Sequence, residues 1–491
     1  MQAKDHCALP QNLLTDPLWQ AADVGRPIPD SVHAVSMALP RWQDVVDYEE
    51  KMPGILDRLV TGYPRFLVHP LVQQIAQRLG GARPCLPFPS RRVAEMAADF
   101  IQRTEQQRAT VVEKDGWVGV QTTALGGGAL KNFWQHTGLI VSSRQAEAFL
   151  NGRVVTDDPA VRRSLRRQLA AFYDCGEADV FLQPTGMAAG TAALRAVMQY
   201  CPGKPTAQLG FPYVDTLKIQ QKLGVGAHLL HNLTTIADDL HELIHRQPLA
   251  ACFVEIPGNP LLGSADLSRI TPLLREHSVP LVADDVVATP VNVDLSGHAA
   301  LIATSLTKYV AGTGDVMGGA LICNPRSPFY RQLHAIVRAQ HEELLWIEDA
   351  AVLERQARTF PERMQRHNAT GLFIAEKLRA HPAIEKVWYP KWEFAGVYEA
   401  VRRPQGGYGA LITFLPQNAE TRSPQIYDRL AVCKGPSLGT IFSLACPFTL
   451  LAHYAELDWA EACGVSRYLI RLSVGLEEPA ELWQRLAEAL K

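Results

Sequence analysis

Between about residues 160 and 325 the chain alternates short apolar runs with amphipathic stretches, and this pattern constrains its fold more than any other feature. Val180-Phe181-Leu182, Ala251 to Ile256, Val279 to Ala283 and Leu301 to Ser305 are apolar runs without polar alternation. A strand of that kind hides both faces, as in a parallel sheet covered by helices. Val161 to Phe172, the segment opening at Gly186-Met187-Ala188-Ala189, and Leu267 to His277 with Asp266 as N-cap read as the intervening helices. The alternation predicts an α/β domain with a mainly parallel sheet.

The flanks read differently. Residues 1–140 are proline-rich and irregular, with helical stretches at Leu71 to Leu79 and Arg92 to Arg108, and Gly126-Gly127-Gly128 reads as a flexible loop. We assign 1–140 to an N-terminal extension or arm and 141–340 to the large α/β domain. Residues 341–491 form a smaller α+β domain. It has a long helical region from Glu342 to Ala380, strands near Ala410 to Phe414 and Leu469 to Val474, and helices near Thr449 to Trp459 and Leu482 to Leu490. A chain of 491 residues can bury several cores.

Bulk properties remove several function classes. A formal net charge of −2 offers no electrostatic footprint for nucleic acid or an anionic membrane. No run of about 20 apolar residues is present, and Met1 to Cys7 has no apolar signal core. The nine cysteines are scattered without a Cys-x-x-Cys pair, which argues against a disulfide framework and a structural zinc. We expect a cytoplasmic protein without a metal.

Functional groups of an open α/β sheet gather at the C-terminal ends of its strands. Lys308 follows the run at 301, within Ser305-Leu306-Thr307-Lys308-Tyr309 and before the glycine-rich Gly312 to Gly319. A lysine beside two hydroxyls suits a Schiff base to a phosphorylated aldehyde cofactor. Thr185-Gly186-Met187 opens a helix whose N–H groups can hold an anion, although a tight turn is the plainer reading of one glycine. Asn259, between Pro257 and Pro260, projects its amide in a set direction, or simply marks a turn. Asp284 and Asp285 end the run at 279, and a buried carboxylate needs a cationic or donor partner. Arg471 lies inside an apolar strand, paired with a ligand carboxylate or with an internal acid.

Longer motifs accompany these positions: Ile28 to Ser36, Leu39-Pro40-Arg41-Trp42, Thr61 to Phe66, Phe211 to Lys218, Lys434 to Thr440 and Leu444 to Pro447. Together they resemble the Cys/Met-metabolism family of pyridoxal-phosphate (PLP) enzymes, most of all its fungal-type cystathionine γ-synthase branch. The resemblance runs across nearly the whole chain.

That resemblance implies PLP fold type I, like aspartate aminotransferase, with a seven-stranded-type sheet and PLP joined covalently to Lys308. It makes Lys308 and Tyr213 the catalytic pair, with Tyr213 stacked on the pyridine ring. Gly186 and Met187 offer N–H groups, and Ser305 and Thr307 hydroxyls, to the phosphate. Asp284 faces the ring nitrogen, Asn259 the ring hydroxyl, and Arg471 with Ser437 the substrate carboxylate. The family takes a Tyr-x-Arg phosphate contact from a neighbouring subunit. The stretch matched here is Ser142-Ser143-Arg144, which keeps the arginine and lacks the tyrosine. Relatives place a glutamate for a distal amine where this chain has Phe442, and the fungal-type branch an asparagine where it has Ile441, so an apolar acceptor pocket is expected.

The implied reaction is γ-replacement on an O-acylated L-homoserine, with cysteine giving cystathionine. The alternatives are a non-cysteine nucleophile, a γ- or β-lyase and, from another class, a non-catalytic PLP-fold partner protein. The resemblance also implies small amino-acid substrates and a homodimer or homotetramer with the site at the subunit interface.

Overall fold

The apolar runs of the middle region become the centre of a sheet buried on both faces. The structure, a computed structural model, describes residues 11–491. Three strands precede that region: β1 (Cys85–Phe88), β2 (Ala109–Lys114) and β3 (Trp117–Thr122). The large sheet contains β4 (Val180–Gln183), β5 (Thr206–Leu209), β6 (Ala227–Leu230), β7 (Cys252–Glu255), β8 (Leu281–Asp284), β9 (Leu301–Ser305) and β10 (Gly319–Cys323). Its order is β4-β10-β9-β8-β7-β5-β6. β10 runs antiparallel to both neighbours, and the other pairings are parallel. This is the mainly parallel seven-stranded sheet expected from the sequence. β5, β6 and β10 are strands that the apolar-run criterion does not detect.

The smaller domain has a five-stranded sheet of β11 (Ile384–Trp388), β12 (Leu411–Pro416), β13 (Cys433–Lys434), β14 (Leu444–Pro447) and β15 (Ile470–Ser473). Its order is β11-β12-β15-β14-β13, mostly antiparallel. The helical region expected from Glu342 to Ala380 is two helices, Ile347–Ala357 and Phe360–Arg379. Pro361 lacks an N–H donor and is tolerated only in a first turn, which explains the break.

The N-terminal region departs furthest from expectation. Antiparallel strands in the order β1-β3-β2 form a sheet of their own. The helices Pro70–Gly80 and Arg91–Glu105 pack on it around a separate apolar core that includes Phe88, Phe100 and Trp134. The triple glycine is no flexible loop: Gly126 caps the helix Gly127–Thr137, which buries Ala129, Leu130, Phe133 and Trp134. Burial of that apolar face outweighs the low helix propensity of glycine.

Residues 13–39 run along the same chain's smaller domain. Leu13, Leu18 and Ile28 pack with Phe442 and Leu444. The Leu39 N–H donates to the Lys434 carbonyl at 2.8 Å, and Ser36 Oγ to the Pro436 carbonyl at 2.7 Å. No helix among the described residues is long and apolar enough to cross a membrane.

Candidate active site

The ends of β7, β8 and β9, the start of the Gly186–Tyr200 helix and the loop before Gly439 enclose a cleft of about 580 Å³. That size is ordinary for a small-molecule site. Its lining includes Gly186, Met187, Tyr213, Asn259, Asp284, Ser305, Lys308, Ser437 and Arg471. The fold thus gathers nine expected positions scattered over almost 300 residues.

Lys308 lies in the turn after β9. Its Nζ donates to Ser437 Oγ at 2.8 Å and to the Tyr63 hydroxyl at 3.3 Å, and sits 4.6 Å from the centre of the Tyr63 ring. Burial lowers its pKa, Tyr63 opposes that, and the positive charges of Arg471 and Arg65 add to the lowering. A neutral amine, the form that acts as nucleophile and base, is therefore easier to reach than on an exposed lysine.

Tyr63 and Arg65 come from the N-terminal region and are the functional residues that the sequence reading missed. Both line the cleft. Arg65 pairs with the buried Asp215 carboxylate and donates to the Tyr213 hydroxyl. His136 Nδ1 lies 2.7 Å from the other Asp215 oxygen. Burial raises the pKa of Tyr63, but Lys308 and Arg65 lower it by more, leaving it below the ordinary phenol value. The signal is present within Thr61 to Phe66, because Tyr63-Pro64-Arg65 has the Tyr-x-Arg spacing whose tyrosine Ser142-Ser143-Arg144 lacks.

At the C-terminal ends of two interior strands, Glu255 on β7 and Asp284 on β8 are register partners. Glu255 accepts from the backbone N–H groups of Tyr213 at 2.5 Å and Asn259 at 3.3 Å. Burial and the neighbouring Asp284 push its carboxyl up to about 8. Asp284 accepts from the Val286 N–H at 2.8 Å. Burial pushes it up to about 7, with Asp285 adding to the rise. No cationic side chain bonds Asp284 among the described residues, which leaves a buried carboxylate facing the cleft and in need of a positive partner. Asp285 instead turns away and accepts from Tyr173 at 2.9 Å.

Arg471 on β15 is 6% exposed, lies 4.8 Å above the Phe448 ring, and donates to the Asn259 amide oxygen at 3.2 Å and the Ser437 carbonyl at 2.8 Å. All three contacts are neutral, so its charge remains available to an anion. Among the described residues no acid pairs with Arg471, so the internal salt bridge considered from sequence is not found there.

Four expected positions lie elsewhere. Arg144 is held by Asp315 at 3.1 Å and Asp349 at 3.0 Å, outside the cleft lining, because the 143–150 helix packs toward those acids. The Thr307 hydroxyl is engaged with the Gly318 backbone and does not line the cleft. Phe442 is buried with Leu13, Leu18 and Ile28, and Ile441 packs against the same cluster. The apolar acceptor wall expected from these two residues is therefore an apolar seam under the N-terminal segment.

The remaining set fits PLP. An added Cβ at Gly186 would stand 2.6 Å from Ser305 Cβ, so only glycine lets the helix N-terminus meet that hydroxyl-bearing strand end. Unpaired N–H groups of a first helical turn suit a phosphate. Asp284 suits a pyridinium nitrogen, and Lys308 an aldehyde carbon.

Comparison with known proteins agrees with this chemistry. The Cys/Met metabolism PLP-dependent enzyme family matches residues 133–491, and the N-terminal domain of fungal trans-sulfuration enzymes matches residues 67–142. A cystathionine gamma-synthase of Neurospora crassa is 31% identical across 96% of this chain and 98% of that protein. An L-2-amino-4-chloropent-4-enoate dechlorinase/desaturase of Streptantibioticus cattleyicolor is 33% identical across 92% of this chain and 95% of that protein. The solved cystathionine gamma synthase of Xanthomonas oryzae, in complex with cystathionine, is 25% identical with a TM-score of 0.60, covering 68% of this chain and 86% of its own. On these matches, the chain belongs to the Cys/Met metabolism family of PLP-dependent enzymes, with fold type I and the γ-elimination or γ-replacement chemistry of its relatives.

Proposed function

We propose that the protein catalyses γ-replacement on an O-acylated L-homoserine, acetylated or succinylated, with cysteine as nucleophile and cystathionine as product. The observation that carries this reading is the pairing of Lys308 and Arg471 across one cleft, joined through Ser437. One side chain transfers protons and the other fixes a substrate carboxylate beside it.

When bound, PLP supplies an electron sink conjugated to the substrate Cα. Gly186, Met187 and Ser305 would hold its phosphate, Asp284 its ring nitrogen and Asn259 its hydroxyl, and Tyr213 would support its ring. Arg65 fixes Tyr213 through its hydroxyl and stays oriented by Asp215. Arg471 binds the substrate α-carboxylate, and Asn259 keeps the guanidinium aimed. Lys308 takes the Cα proton and delivers or removes a proton at Cβ, and the Ser437 hydroxyl holds its Nζ between these positions. The acyl group leaves Cγ as a carboxylate, and the thiol adds at the same carbon after losing its proton.

Incubating the PLP-loaded protein with O-acetyl- or O-succinyl-homoserine, with and without L-cysteine, and weighing the products decides the question. Cystathionine as the main product supports the proposal. Formation of 2-oxobutyrate at the same rate with and without cysteine overturns it in favour of a lyase.

The dechlorinase/desaturase relative favours a second reading, in which the group at Cγ or the nucleophile differs while the same residues act. A screen of thiols, amines and carbon acids in which cysteine is far the best acceptor excludes it. We also propose a homodimer or homotetramer, on the basis of the family resemblance alone.

A further inference from the structure

The cleft contains charged groups that the mechanism above does not use. Four carboxylate residues line it: Glu49, Glu255, Asp284 and Glu456. Glu255 and Asp284 accept backbone hydrogen bonds, and Glu456 pairs with Lys218 at 2.9 Å and His453 at 3.0 Å. Glu49 has no hydrogen-bond or ion-pair partner among the described residues. Lys51 and Lys131 line the same cleft and are likewise unpaired.

These three groups act on one another. Burial pushes the Glu49 carboxyl up to about 7, against the pull of Lys51 and Lys131. Their positions follow from the fold. Glu49 ends the Trp42–Glu49 helix, which packs on the Phe448–His453 helix. Phe448 opens that second helix and supports Arg471. Tyr454, just beyond it, donates to Glu50 at 2.6 Å and ties the two segments together. Lys131 reaches the cleft from the Gly127–Thr137 helix.

One free acid beside two free cations is the complement of a zwitterion. Arg471 already provides for one α-carboxylate, so a second amino-acid head would need a separate acid and base. Phe442, where relatives are expected to place an acid for a distal amine, is buried away from the cleft.

We propose that Glu49, Lys51 and Lys131 form a second amino-acid subsite, which binds the zwitterionic head of the α-amino acid acting as nucleophile. Glu49 takes its ammonium, and Lys131 with Lys51 takes its carboxylate. The assignment rests on the γ-replacement reading and names the class of acceptor for it. Charge-assisted hydrogen bonds of this kind contribute about tenfold or more in affinity each.

The test compares L-cysteine, 3-mercaptopropionate (no ammonium) and 2-aminoethanethiol (no carboxylate) as acceptors for the PLP-loaded enzyme with O-acetyl-L-homoserine. Glu49→Gln lowers the kcat/KM preference for L-cysteine over 3-mercaptopropionate by about tenfold. Lys131→Met lowers the preference for L-cysteine over 2-aminoethanethiol in the same way. Equal losses for all three thiols, or unchanged preferences, overturn the subsite. If the wild-type enzyme leaves O-acylhomoserine unreacted, the γ-replacement reading fails, and calorimetric titration with L-cystathionine judges the subsite alone. Binding about tenfold weaker in Glu49→Gln supports it, and equal binding overturns it.

Discussion

Lys308 Nζ donates to Ser437 Oγ at 2.8 Å although 129 residues separate them in the chain. Ser437 holds a φ of +93°, a costly conformation for a residue with a side chain. Two residues on, an added Cβ at Gly439 would stand 2.7 Å from the Tyr309 N–H. The loop of the smaller domain is pressed onto the lysine turn of the larger one, and in this left-handed conformation Ser437 presents its hydroxyl to the amine.

Lys308→Ala removes both the covalent anchor and the mobile proton carrier. Turnover falls by at least about 10³-fold, in line with the loss of a general acid–base group and a nucleophile. The absorbance of the lysine-bound cofactor disappears, while circular dichroism stays at the wild-type level. Retention of wild-type turnover would falsify the assignment.

Asp284 and Glu255 make the cofactor-free protein sensitive to pH. Burial raises both carboxyls, to about 7 and about 8. The folded state therefore holds protons that the unfolded chain releases. Their stability contribution is present at acid pH and is lost as pH rises through those values. The thermal midpoint of the apoprotein should drop between about pH 4 and pH 8, from the ordinary carboxyl range up to the raised values, and Asp284→Asn should flatten the drop. An unchanged slope in the variant means that Asp284 is ionised throughout.

Gly186→Ala inserts a methyl group into the contact with Ser305. Relief of the 2.6 Å approach shifts either the helix N-terminus or the strand end, at a cost of about 1–3 kcal/mol. Cofactor titration should show weaker PLP binding than in the wild type. A variant with unaltered PLP affinity and unaltered denaturation midpoint counts against the close approach.

Arg65→Met leaves the Asp215 carboxylate buried with only His136 to balance it. Breaking one side of a buried pair costs about 3–5 kcal/mol, read by denaturant unfolding of the apoprotein. Arg65→Lys restores part of that loss. Identical unfolding of wild type and Met variant would show that Arg65 is not the partner of Asp215.

Arg471→Lys keeps the charge and removes the forked geometry. The KM for an amino-acid substrate should rise about 10–100-fold, with a smaller change in kcat. An unaffected KM would remove Arg471 from carboxylate binding.

The large sheet was legible because β4, β7, β8 and β9 are apolar on both faces, and burial on both faces leaves few alternatives to a covered parallel sheet. Lys308, Asp284, Gly186 and Asn259 were legible for a related reason, since they lie at the ends of those strands or within a few residues after them, and strand ends define the cleft. The N-terminal sheet was not. β2 alternates partly exposed residues, and β1 contains a proline, so neither produces the apolar run that marked the others.

Sequence alone determined the family chemistry of this protein: an amine and an acid at the ends of predicted strands and a guanidinium inside another, with long motifs shared along the chain. Tertiary structure decided which similar triplets do which work. Tyr63-Pro64-Arg65 enters the cleft, while Arg144 is captured by Asp315 and Asp349. Phe442 enters a core with Leu13 and Leu18, and Glu49 faces the cleft instead. Those outcomes depend on charge pairing and apolar burial between segments hundreds of residues apart, and no local pattern records them.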